Sequence, residues 1–81
     1  MNITTDEKEA RFVVVLKAGV QTKEQLRDLL PNRWRLRKPH GDPLRVTCLT
    51  EIREGETKQA LFDEAARILG NADFKAHYGE Q

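Results

Sequence analysis

From Arg11 to Ala18 the run RFVVVLKA sets β-branched and aromatic residues on consecutive positions. It is too short for a typical helix and apolar on both sides, so it predicts a central strand. Gly19 breaks it. Thr22 followed three places later by Gln25 is capping-box spacing, and the helix it opens carries Leu26, Leu29 and Leu30 along one side until Pro31 and Asn32 end it. Arg33 to Lys38 then alternates basic with apolar residues, the period of a strand. The PHGDP segment at 39–43 is turn chemistry, with two prolines, a glycine and an aspartate. Leu44 to Ile52 returns as a strand with Leu44, Val46, Cys48, Thr50 and Ile52 on one face, closing a hairpin.

Beyond Gly55, Leu61, Ala65, Ile68 and Leu69 recur at helical spacing, flanked by Phe62 and Ala66, and Gly70 stands where a helix-ending glycine belongs. The last element has two readings. Ala72, Phe74, Ala76 and Tyr78 alternate with Asp73, Lys75 and His77, which predicts a strand, while Asn71 could also cap a short helix; the regular alternation favours the strand. Strand, helix, hairpin, helix, strand is the order of an α+β, ferredoxin-like βαββαβ two-layer sandwich, in which two helices cover one face of an antiparallel sheet. A three-stranded βαββα remains as the fallback if the last strand fails. The expected core is Phe12, Val14, Leu16, Leu26, Leu30, Val46, Cys48, Leu61, Ala65 and Leu69.

The chain has 81 residues, the size of one domain, assigned here to residues 11–78 with a polar, flexible stretch at 1–10. Such a chain buries only about 60 to 65% of the surface its unfolded form exposes, so the core is small. Hydrophobic residues at 38% and charged ones at 33% place it among soluble globular chains rather than disordered ones. No apolar run approaches the length that spans a bilayer, and MNITTDEKEA lacks the basic start and apolar stretch of a secretory signal, so cytoplasm is the expected compartment. The lone cysteine, Cys48, has no partner for an intramolecular disulfide and no zinc spacing. Packing alone is expected to hold the fold, without a cofactor or metal.

Charge changes the picture more than composition does. The net charge is only +1, yet Arg33, Arg35, Arg37, Lys38 and Arg45 gather within RWRLRKPHGDPLR against one carboxylate, Asp42, while residues 46–81 are net acidic. Because the arginines alternate with Trp34 and Leu36, a strand here puts guanidinium groups on one face and apolar groups on the other. Three readings follow: a solvated edge that discourages sheet-to-sheet pairing, an acidic protein partner, or nucleic-acid phosphates met by arginine forks. The same alternation separates Trp34 from the positive charge, so aromatic and basic groups cannot line one groove. RNA-recognition domains of this topology stack bases on aromatics in the two central strands; FVVVLK and RVTCLTE hold only Phe12 between them and lack that signature.

Catalysis finds little support. His40 lies two residues from Asp42, but no nucleophile or oxyanion motif accompanies it, and a turn histidine is usually just exposed. His77 is expected at the surface and Cys48 as a buried structural thiol. Glu51, Glu54, Glu56, Asp63 and Glu64 lack the ligand ladder of a calcium loop and read as a solvated helix entry. The glycines never cluster into a phosphate-binding loop. The expectation is a small non-enzymatic binding or regulatory protein, an adaptor or inhibitor of the kind bacteria and phages carry by analogy of size. It engages an acidic protein through Arg33, Arg35, Arg37, Lys38, His40 and Arg45. The alternative is a single-stranded RNA- or DNA-binding module; a small enzyme is the remaining rival.

Overall fold

The computed structural model describes residues 8–38 and 41–78. Its elements are β1 (Glu9–Val15), α1 (Lys23–Leu29), β2 (Arg35–Arg37), β3 (Arg45–Glu51), α2 (Lys58–Asn71) and β4 (Lys75–Tyr78). All strand pairings are antiparallel and the sheet order is β2-β3-β1-β4. This is the ferredoxin-like βαββαβ arrangement. The last strand forms, pairing with β1 from Phe12 opposite Tyr78 to Val15 opposite Lys75, so the fallback is not needed. Among the described residues no helix is long and apolar enough to cross a membrane.

One face of the sheet carries the core. Ala10, Phe12, Val14 and Leu16 on β1 and its end, with Val46, Cys48 and Thr50 on β3, point toward both helices, as a period of two requires. Leu26 and Leu30 from the first helix and its cap, and Leu61, Ala65 and Leu69 from the second, pack onto them in one cluster. All ten expected core residues are buried, joined by Ala10, Trp34 and Phe62, while Leu49 is buried on the opposite face of the sheet. At the centre the Phe12 ring lies 4.9 Å from that of Trp34, 4.9 Å from Tyr78 and 6.3 Å from Phe62.

Several boundaries shift for identifiable reasons. β1 opens at Glu9, inside the stretch expected to be flexible, because Ala10 and Glu9 pair with Thr50 and Glu51 and Ala10 is fully buried. It ends at Val15 rather than Ala18, because the amides of Val20 and Gln21 turn back onto the Lys17 carbonyl, with Gly19 at φ 75°. β2 begins at Arg35 rather than Arg33, since the Trp34 amide closes a turn on the Pro31 carbonyl at 3.1 Å. The second helix runs through Gly70 to Asn71 and the left-handed position falls on Asp73, φ 64°, so Gly70 does not end it. On its buried stripe Phe62 stands in for Ile68, which is half-buried, and Ala66 is exposed. The Thr22 capping box forms as spaced: its hydroxyl accepts from the Gln25 amide, and the Gln25 side chain accepts from the Thr22 amide.

Candidate functional site

The face turned away from the helices is basic. Strand register lays its side chains in rows: Arg35, Leu49 and Arg11; then Arg37, Thr47, Val13 and His77; then Arg45, Val15 and Lys75. Glu51 and Glu9 face each other at one end. Glu9, Arg11, Arg35, Arg37, Thr47 and Leu49 line a depression of about 300 Å³. Arg11 pairs with Glu9 at 3.2 Å and Arg45 with Asp42 at 3.4 Å, both exposed and therefore weakly held. No described carboxylate lies within ion-pair distance of Arg35 or Arg37. All five aromatic residues, Phe12, Trp34, Phe62, Phe74 and Tyr78, belong to the core or pack against it, so none of them presents a ring on this face.

Of the residues expected to bind, Arg35, Arg37 and Arg45 share the open face, and Lys38 is exposed just past β2. His40 lies outside the described residues. Arg33 is drawn elsewhere. The turn before β2 swings its side chain around the sheet edge to the entry of the second helix, where Nη1 and Nη2 donate to the two Glu56 carboxylate oxygens at 2.6 and 2.8 Å. Nη2 also donates to the Glu51 carbonyl and Nε to the Thr50 hydroxyl, which satisfies a buried threonine. Glu56 is thus no solvated helix-entry charge but half of a two-pronged ion pair that ties the start of the hairpin to the loop after it.

The Arg33 fork, seconded by the Arg53 amide, holds the Glu56 carboxyl down to about 2. A depressed carboxylate contributes stability that is complete above its ordinary value near 4.5 and is lost as pH falls toward about 2. Glu56→Gln is therefore expected to lower the melting midpoint at neutral pH and to flatten its decline across that window. Thermal melts of both proteins from pH 7 to pH 2 check this; parallel acid limbs would show that the pair contributes nothing.

Arg11 and Lys75 also belong to the basic face and were not among the expected binding residues. Each alternates with an apolar neighbour, Arg11 with Phe12 and Lys75 with Phe74 and Ala76, a signal that places them on the outer side once their strands are paired. Cys48 faces inward, and burial pushes its thiol up to about 12, which makes it a poor nucleophile. Among the described residues no three His, Cys, Asp or Glu side chains come together as a metal ion would require. No protein-family model matches this chain, and neither the curated proteins nor the solved structures yield a significant match.

Proposed function

We propose that the protein is a small non-enzymatic binding or regulatory protein that engages an acidic surface, foremost that of a protein, through its basic hairpin and the open face of its sheet. The observation that carries this reading is the composition of that face: five cations, Arg11, Arg35, Arg37, Arg45 and Lys75, with no Phe, Trp or Tyr ring among them. Complementary charge speeds encounter and sets register between proteins. Without a Phe, Trp or Tyr ring here, the stacking that contributes about 1–3 kcal/mol per base to single-strand binding has only the His77 imidazole to use. Glu9 and Glu51 at one end also favour a protein, which can offer a lysine there where a phosphate backbone offers only more negative charge.

The second reading, single-stranded RNA or DNA, rests on Arg35 and Arg37, which can fork onto successive phosphates. Titrations of a labelled oligonucleotide and of polyglutamate at low and moderate salt separate the two. Polyglutamate is expected to bind with the higher affinity and to weaken with salt. Tighter oligonucleotide binding, with log affinity falling by about 0.7 per phosphate contact against log salt, would overturn the protein reading.

A further inference from the structure

Three of the four charged residues around the depression on the open face are arginines, and they stand on both of its sides. Arg35 and Arg11 flank Leu49 in one register row, and Arg37 stands beside Thr47 in the next. Two strand spacings separate Arg11 from Arg35, roughly 10 Å between their Cα atoms, a gap that two arginine side chains close from either side onto one small group. Three guanidinium charges against the single carboxylate of Glu9 leave the depression with a surplus of two positive charges. The Thr47 hydroxyl adds a donor to its lining.

A carboxylate side chain brings one charge and two oxygens in a plane, and a single arginine fork occupies both. A phosphomonoester brings a charge of about −1.5 to −2 at neutral pH and three terminal oxygens in a tetrahedral array, enough for forks from two sides and a hydroxyl. Size agrees with charge, since the depression is far larger than one carboxylate and suits a phosphorylated side chain with its attached backbone. We infer that this depression is a phosphomonoester cradle, and that the acidic protein recognised by the sheet face presents a phosphorylated side chain to Arg11, Arg35 and Arg37. This rests on the reading of the face as a protein-binding surface and narrows it to a charge-matched partner.

The test uses three probes against the whole chain: an acidic peptide with one central phosphoserine, the same peptide with serine, and a single-stranded oligonucleotide bearing a 5′-phosphate. The phosphopeptide is expected to bind roughly tenfold or more tightly than its serine counterpart, since it adds charge-assisted hydrogen bonds that the hydroxyl does not. That preference should grow as pH rises through about 6, where the phosphate takes its second charge. The charge-preserving double variant Arg11→Lys, Arg35→Lys should lose most of the preference, with a melt confirming that it folds. Equal affinity for the two peptides would overturn the cradle and leave the acidic-protein reading standing. Binding of neither peptide at low salt would overturn both. An undiminished preference in the lysine variant would refute recognition by arginine forks, and tighter binding of the oligonucleotide than of the phosphopeptide at equal salt would assign the face to nucleic acid instead.

Discussion

Replacing Phe12 with alanine should cost about 3–5 kcal/mol, as aromatic-to-alanine changes in packed cores do. The ring is buried on the central strand and touches three other aromatic rings, from the turn before β2, the second helix and β4. Its removal therefore leaves a void that no single neighbour can fill, and it loosens elements from three separate parts of the chain at once. A domain of this length has a total stability on the order of 4–12 kcal/mol, so the variant should sit near the unfolding threshold at room temperature. Chemical denaturation gives the answer directly. An unfolding free energy within about 0.5 kcal/mol of wild type, the range of surface substitutions, would mean that the aromatic cluster does not organise the core.

Reversing charge at Arg35 and Arg37 is expected to do the opposite, sparing the fold and removing the function. Both side chains are exposed on β2 and neither is within ion-pair distance of a described carboxylate, so the melting midpoint should change little. An acidic partner would meet two carboxylates where it now meets two guanidinium groups, a juxtaposition that slows association and costs several kcal/mol at the contact. Binding of Arg35→Glu, Arg37→Glu to polyglutamate should fall by at least about a hundredfold, the equivalent of some 3 kcal/mol. A folded variant that binds as wild type does would reduce these arginines to a solvated edge.

The alternation of Arg33, Trp34, Arg35, Leu36 and Arg37 made the two-sided hairpin legible, and Trp34 and Leu36 do turn inward while Arg35 and Arg37 turn outward. Period-two reasoning needs only local sterics, and there it holds. It misses Arg33 because a turn, not a strand, carries that residue, and its carboxylate partner is remote in sequence. Arg11 and Lys75 join the basic face only through pairings between strands far apart in the sequence, β1 with β3 and β1 with β4, which no local pattern encodes. The second helix runs past Gly70 for a related reason. Gly70 is the better left-handed residue by intrinsic preference, yet Asp73 takes that conformation where tertiary contacts hold it: its side chain pairs with Lys17 and its carbonyl accepts from Gln21.

The position of β1 in the sheet bears on how the molecule is made. Among the described strands it is synthesised first and its outer neighbour β4 last, and until Tyr78 is in place one edge of β1 and one flank of the Phe12 ring lack the partners they have in the fold. A nascent chain holding everything but β4 therefore displays an apolar, β-branched edge, FVVV, of the kind that recruits other strands. Pairing with β4 is thus what covers this edge of β1 and turns the central strand inward within the sheet.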